Sequence, residues 1–344
     1  MAATSGWSAT IASQKNKLVV IRHLPATRLT LCFAGMKTFT VNDVPFERWQ
    51  VGATTYETCL TRGARLLRWK VTLPNGTREV LHWPEGADFA QDKIGLVRGG
   101  NPILFPLMGR NYADGEKFFW KDDAGVKRPM PQHGFARDCA FEFIESSDRH
   151  ALVRMIQNDR SRACYPFKYE FRVRYEFREL FLRCTFEFEN LDTQPLPWCA
   201  GHHFYFTLPW HAGLSRRDYT IKIPSKKQWR HAADGKLVPF ADLKGSTEFS
   251  FDNPGLPDCI FTNLKDAMVT FGPRSGEENI SVKVGEDPIP DSWAAVVTWT
   301  PDSEAPFYCV EPWMGPPNST EHKNGLRFAE PGKVETFVTE VSLA

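Results

Sequence analysis

Four segments of the chain combine glycine and proline with side chains that can move protons or bind polar ligands. They span residues 98–110, 132–138, 201–208 and 309–318, and between them they contain histidine, arginine and glutamate. Glycine and proline mark turns and strand ends, where functional side chains are often presented. A histidine and a carboxylate brought together could act as a general acid and a general base. Each segment alone also fits a packed or solvated loop, so the prediction depends on their combination.

One of these segments contains a histidine doublet, His202-His203, beside aromatic residues. Successive side chains of a strand point to opposite faces of its sheet. If the doublet lies in a strand, only one of the two histidines should enter a site.

The clearest structural pattern is a period-two alternation across residues 167–178 that is repeated across 182–189. Aromatic and aliphatic side chains alternate there with Arg, Glu and Thr. Such alternation is typical of strands with one dry and one solvated face, and it predicts an antiparallel hairpin that turns near Arg178-Glu179. Further strands are predicted at 18–22, 29–33, 37–41, 151–155, 269–271, 280–284, 293–300 and 336–342.

Turn-forming residues recur between these short segments. The chain has 24 glycines and 25 prolines, and few windows keep a helical period. Without alternation of strands and helices, this pattern predicts an all-β sandwich or barrel. No linker or internal repeat divides the chain, so residues 1–344 are predicted to form one domain, with 1–15 as a frayed tail.

The charge and cysteine content argue against several classes of protein. Lys and Arg number 42 against 41 Asp and Glu, a formal net charge of +1, so nothing favours nucleic acid or an anionic membrane as a partner. The eight cysteines form no CxxC pair, which argues against a metal ribbon, a redox motif or a disulfide scaffold. The N-terminus is polar, and no apolar run reaches the ~20 residues of a membrane helix. We therefore expect a cytoplasmic protein.

From about Gly63 to the C-terminus, the order of the motifs resembles the aldose 1-epimerase (galactose mutarotase) family. The matching segments are His-Gly-Phe-Ala-Arg at 133–137, His-x-Tyr-Phe at 203–206, Leu-Pro-Asp at 256–258, and a late Glu-bearing strand at 309–313. The loop at 229–239 resembles the family's loop after its central strands. The register to Tyr205-Phe206 selects His203 rather than His202. The resemblance implies an all-β fold, the β-supersandwich of antiparallel sheets, with the site in the concave face of a sheet.

The activity that the resemblance implies is isomerisation of an aldose. An aldose 1-epimerase (mutarotase) interconverts the α and β anomers of a hexose by acid–base ring opening and closure, with no cofactor and no metal. By resemblance, Glu311 is the catalytic base and His203 the catalytic acid.

Four further residues are implied to bind the monosaccharide. His133 would hydrogen-bond the ring oxygen or a neighbouring hydroxyl group. Arg98 and Asp258 would fix hydroxyl groups, because arginine donors and carboxylate acceptors orient a sugar well. Trp313 would either stack on an apolar sugar face or belong to the core.

Three alternatives remain open at this stage. Arg98-Gly99-Gly100 resembles the hexose-6-phosphate mutarotase branch, but Asn101 departs from it, and we expect free hexoses to be used at least as well as their 6-phosphates. A non-catalytic carbohydrate-binding protein could have the same fold. A metal site is the third alternative, and the wide separation of His133, His203 and Glu311 in the chain is unlike the usual ligand spacing.

Overall fold

The computed structural model describes residues 36–41, 43–74, 76–90, 93–243, 245–286 and 291–344. The strands predicted at 18–22 and 29–33, and the tail 1–15, lie outside these residues. The described strands, in chain order, are β1 Met36–Val41, β2 Val44–Val51, β3 Thr54–Cys59, β4 Arg65–Leu73, β5 Gly76–Glu79, β6 Ile103–Leu104, β7 Tyr112–Ala113, β8 Glu116–Lys117, β9 Phe119–Lys121, β10 Lys127–Pro129, β11 Ala140–Ser146, β12 His150–Ile156, β13 Tyr169–Arg178, β14 Phe181–Asn190, β15 Leu196–Trp198, β16 Gly201–His202, β17 Phe204–Thr207, β18 Tyr219–Lys222, β19 Ser225–His231, β20 Leu237–Pro239, β21 Glu248–Ser250, β22 Cys259–Leu264, β23 Met268–Pro273, β24 Ile280–Val284, β25 Ala295–Trp299, β26 Phe307–Trp313, β27 Arg327–Ala329 and β28 Val334–Leu343.

Helices are short and few in the described part of the chain. Two are α-helical, α1 Asp159–Cys164 and α2 Ser319–His322, and three are 3₁₀ turns at Ile94–Leu96, Ala136–Asp138 and Arg216–Asp218. None of the helices that the structure describes has the length and hydrophobicity needed to cross a membrane.

The largest sheet has nine antiparallel strands in the order β11-β12-β13-β14-β28-β24-β23-β18-β21. Its centre is the predicted hairpin, β13 and β14, which pairs from Tyr169↔Asn190 to Arg178↔Phe181. The alternating aromatic side chains are buried on one face, and Arg and Glu line the other. The hairpin prediction from period-two alternation is confirmed.

A second large sheet has the order β20-β19-β22-β25-β26-β16-β6, with β17 also paired to β26. One face of this sheet packs against the nine-stranded sheet. The ring of His202 stacks on Phe186 at 4.4 Å between centroids, and Phe206 meets Phe271 edge to face at 4.9 Å. Because strand side chains alternate, the neighbours of His202 and Phe206 must point to the opposite face.

A five-stranded sheet, β1 to β5, packs at the side of this sandwich. Trp49 stacks on Phe177 at 4.3 Å, and the Tyr175 hydroxyl donates to the Ala64 carbonyl at 2.9 Å. The sheets are antiparallel throughout, so the predicted all-β sandwich of antiparallel sheets is confirmed. The assignment of the whole chain to one domain stays a prediction.

Candidate active site

A cleft of about 520 Å³ opens on the face of the eight-stranded sheet that points away from the nine-stranded sheet. Strands β17, β19, β22, β25 and β26 contribute to it, together with the loops around residues 95–98, 109–110 and 132–137. All six residues expected from the sequence line this cleft: Arg98, His133, His203, Asp258, Glu311 and Trp313.

Glu311 lies in the middle of β26, a strand with every residue buried. Its side chain alternates with those of Val310 and Pro312, which places it on the cleft side. Only 1% of Glu311 is exposed. Burial raises the pKa of this carboxyl well above its usual value, and the nearby charge of Asp258 raises it further.

His203 stands between β16 and β17, opposite Glu311. Its Nε2 lies 3.4 Å from the Glu311 Oε1. Burial lowers the pKa of His203, and the charge of Arg137 adds to this effect. Both shifts favour the uncharged forms, a protonated Glu311 and a neutral His203.

The histidine doublet is divided between the two faces of the sheet. His202 is completely buried and stacks on Phe204 at 5.0 Å as well as on Phe186. His203 faces the cleft and stacks on Tyr205 at 4.7 Å. Strand alternation explains the division.

His133 enters the cleft from a tight loop. Its backbone has a positive φ of 66°, and its N–H donates to the Gly109 carbonyl at 2.7 Å. A Cβ on Gly134 would lie 1.9 Å from the Phe105 carbonyl oxygen, so the loop requires glycine there. The His133 ring is 5.5 Å from the ring of His203, and its buried Nδ1 has no partner among the described residues.

Arg98 and Asp258 lie at the exposed rim of the cleft. The Arg98 guanidinium sits over the ring of Trp299, 5.3 Å from its centroid. Asp258 belongs to a turn with a positive φ of 60°. Arg230 holds this turn by donating to the carbonyls of Gly255, at 2.6 Å, and of Pro257.

A buried arginine fixes the loop that carries Arg98. Arg65 is 1% exposed and donates to the carbonyls of Ile94, Val97 and Gly99, the last at 2.7 Å. No carboxylate is among these partners, and burial lowers the pKa of Arg65 to about 10. The guanidinium therefore satisfies three backbone acceptors that the loop cannot satisfy itself.

Trp313 forms part of the cleft floor. It is 4% exposed, its Nε1 donates to the His202 carbonyl at 3.2 Å, and its ring meets His133 edge to face at 5.5 Å. A Cβ on Gly201 would come within 2.7 Å of the Trp313 ring. These contacts place it in the packing beneath the cleft, with little of its face exposed.

The sequence interpretation missed several lining residues, among them Trp299, Arg230 and His231. Trp299 and Val297 lie two residues apart in β25 and so on the same face. The period-two pattern of the strand predicted at 293–300 could therefore have indicated Trp299. Arg230 and His231 lie in the stretch interpreted as a loop from 229. The structure instead has a hairpin there, in which Trp229↔Pro239 and His231↔Leu237 are paired.

One group of cleft residues has donor atoms suited to a metal ion. An atom from each of His203, Cys309 and Glu311 lies within 4.8 Å of the other two. Binding would require the thiolate and the carboxylate, but burial raises the pKa values of both Cys309 and Glu311. The environment thus opposes the ligand forms that a metal needs.

The cleft lining is rich in arginine. It has four arginines, Arg98, Arg110, Arg137 and Arg230, against the carboxylates of Asp258 and Glu311. Within the described part of the chain, Arg98 and Arg110 make no ion pair and no hydrogen bond. Their donors are available for hydroxyl or anionic groups of a ligand.

Comparison with known proteins assigns the chain to a family. The family model for aldose 1-epimerase matches residues 50–342. A LacX protein of Lactococcus lactis subsp. lactis is 26% identical over 238 residues, covering 66% of this chain and 78% of the relative. A galactose mutarotase-like protein from Clostridium acetobutylicum superposes with a TM-score of 0.70 at 17% identity, over 90% of this chain and 98% of its own. A galactose mutarotase related enzyme from Lactobacillus acidophilus superposes with a TM-score of 0.67 at 20% identity, over 90% of this chain and 97% of its own. With the family model spanning nearly all of the described residues, this chain belongs to the aldose 1-epimerase family.

Proposed function

We propose that this protein is an aldose 1-epimerase that interconverts the α and β anomers of a hexose. The observation that carries the proposal is the buried pair of His203 and Glu311, 3.4 Å apart in a cleft of sugar size. Sugar binding alone does not require an acid and a base in contact. Family membership supports the same general activity.

The reaction transfers two protons. The base removes the proton of the anomeric hydroxyl while the bond between C1 and the ring oxygen breaks. The electron pair of that bond goes to the ring oxygen, which receives a proton from the acid. Rotation about C1–C2 turns the aldehyde, and the reverse transfers close the ring on the other face.

The proposed roles are Glu311 as base and His203 as acid. These roles require the proton that burial favours on Glu311 to move to His203, whose Nε2 lies 3.4 Å from the carboxyl. Each group would contribute ~10²–10⁴-fold to the rate. Because one proton is accepted as another is delivered, the net charge of the buried site is unchanged.

His133, Arg98 and Asp258 are proposed to orient the sugar. The unpartnered His133 Nδ1 would hydrogen-bond the ring oxygen or a neighbouring hydroxyl. Arg98 and Asp258, at the rim, would bind hydroxyl groups farther from C1. Trp313 is proposed to pack beneath the bound sugar.

A hexose 6-phosphate is the second candidate substrate. The observation that favours it is the pair of cleft arginines, Arg98 and Arg110, which make no ion pair or hydrogen bond among the described residues. Arginine is the preferred donor for phosphate oxygens. Near-neutral formal charge gives no long-range attraction for an anion, so we retain the free hexose as the main proposal.

The deciding experiment follows anomer equilibration of fresh α-glucose, α-galactose and α-glucose 6-phosphate, with and without the protein. We expect faster equilibration, with kcat/KM for a free hexose at least equal to that for the phosphate. A preference for the phosphate above ~10-fold, about 1.4 kcal/mol, would select the second candidate. Arg98→Ala and Arg110→Ala should then reduce that preference, whereas Arg154→Ala, on the outer sheet, should not. Sugar binding by calorimetry without any acceleration would instead indicate a carbohydrate-binding protein.

The proposed setting is the cytoplasm, with a monosaccharide as the partner. Seven described cysteines are buried free thiols, which suits a reducing compartment.

A further inference from the structure

The peptide group that joins His202 to His203 lies at an irregular point of the eight-stranded sheet. Gly201 pairs with Trp313 and Phe204 with Val310, and the two residues between them have no partner in β26, although His202 pairs with Ile103 of β6. Pro312 lies opposite this gap, and proline has no backbone N–H to donate. On the side that faces β26, the backbone between His202 and His203 therefore lacks the ladder hydrogen bonds that normally fix a strand.

Side chains replace the missing hydrogen bonds on both sides of this peptide. The His203 N–H donates to the Asn101 Oδ1 at 3.0 Å. The His202 carbonyl accepts from the Trp313 Nε1 at 3.2 Å. Asn101 and His202 are both 0% exposed, so water cannot substitute for either bond.

The same contacts define the protonation of His202. A backbone N–H can only donate, so the Asn101 atom that faces His203 must be its oxygen. The amide nitrogen of Asn101 then faces the His202 Nδ1 at 2.9 Å and donates to it. His202 must accept at Nδ1, which makes it a neutral ring with its proton on Nε2. Burial, which lowers the pKa of His202 to about 3, agrees with a neutral ring.

We infer that Asn101 and His202 form a positioning pair that aims His203 at the anomeric centre. The His202 Nδ1 orients the Asn101 amide, and the oriented amide holds the backbone of His203. The second histidine of the doublet thus acts through Asn101, without touching the substrate. This inference rests on the proposed function.

The pair can be tested by two substitutions with opposite effects on packing and hydrogen bonding. His202→Phe keeps an aromatic ring against Phe186 and Phe204 but has no acceptor for Asn101. His202→Asn loses the ring, yet its Oδ1 stands near the position of the former Nδ1. We expect His202→Phe to lower kcat ~10-fold with KM unchanged, and His202→Asn to keep kcat within ~3-fold in spite of a lower melting temperature.

Asn101→Leu completes the series. It should lower kcat at least as much as His202→Phe, and the double variant should be no slower than Asn101→Leu alone, because both changes break one chain of contacts. Phe204→Leu is the control for packing, since it removes a ring stacked on His202 but no hydrogen bond. Its kcat should match that of the wild type. Wild-type kcat in His202→Phe, or equal losses in His202→Phe and His202→Asn, would overturn the pair.

A spectroscopic readout separates this inference from the proposed function. Nitrogen-15 NMR should find the His202 ring neutral, with hydrogen on Nε2 and a bare Nδ1, at pH 7. Detection of hydrogen on Nδ1 would refute the pair even in an active enzyme. If no sugar is equilibrated by the wild type but the bare Nδ1 is found, the proposed function fails while the geometry of the pair stands.

Discussion

Two regions of this molecule use arginine and glutamate in opposite ways. On the outer face of the nine-stranded sheet, Arg172 lies 2.6 Å from Glu189 and Arg174 lies 2.6 Å from Glu145. These residues, with Arg154, Glu142, Glu170, Glu176, Arg183, Glu187 and Glu340, form a charge ladder of paired and partly exposed groups. In the cleft, by contrast, Glu311 is buried against a histidine, and Arg98 and Arg110 make no ion pair among the described residues.

This difference indicates that the groups available for chemistry or for ligand binding lie in the cleft. Exposed ion pairs contribute roughly 0–1 kcal/mol each, because water already stabilises the separate charges. A buried carboxyl without a counterion costs free energy in the empty protein, and arginines without an ion pair keep their donors bound only to water. Such groups make sense in the cleft because a polar substrate can satisfy them. Substitutions in the two regions test this contrast.

Removing the carboxylate from the cleft should have the largest effect. Glu311→Gln keeps the shape of the side chain but cannot accept a proton, so kcat should fall by ~10²-fold or more with the fold intact. Polarimetry with fresh α-glucose measures the rate. Glu187→Gln makes the same chemical change on the charge ladder and should leave kcat unaltered. A folded Glu311→Gln enzyme with a rate near wild type would remove Glu311 from the mechanism.

The two neighbouring histidines should differ in the size of their effects. His203→Ala removes the proposed acid and should lower kcat by ~10²-fold or more, whereas His202→Ala should lower it by about one order of magnitude through loss of positioning. Steady-state kinetics and circular dichroism on both variants make the comparison. A greater loss in folded His202→Ala would move the acid to His202.

Two arginines offer a matched test of stability. Arg65→Met should leave three buried carbonyls without donors, at roughly 1–3 kcal/mol each before relaxation. Arg154→Met removes two exposed ion pairs with Glu142 and Glu170 and should cost less than about 1 kcal/mol. Urea unfolding gives both free energies. Equal losses would show that burial does not distinguish the two regions.

Removing metal ions should have no effect on the rate. Neither proton transfer needs a Lewis acid, and the surroundings of His203, Cys309 and Glu311 oppose the ligand forms of the thiol and the carboxyl. Activity after EDTA treatment and desalting should therefore match that of untreated enzyme. A loss that a specific divalent metal restores would assign the trio to a metal site.

Local patterns in the sequence were sufficient for some of the strands, the central hairpin among them, and for part of the site. The period-two alternation at 167–178 and 182–189 predicts the central hairpin, because side-chain direction in a strand depends only on position along it. The same rule requires the His202-His203 doublet to divide between two faces. The motif order, through its resemblance to a family, named six of the residues that meet in the cleft.

Only the tertiary structure determined which other residues these side chains contact. Arg230 and His231 reach the cleft because β19 pairs with β22, and Arg65 reaches the loop at 94–99 because β4 packs beside it. The side-chain bonds of Asn101 to the doublet, about a hundred residues away, have no counterpart in any local pattern. The sequence determines the direction of a side chain along its own strand, whereas the neighbours across the fold, the burial and hence the pKa shifts depend on pairings between distant segments.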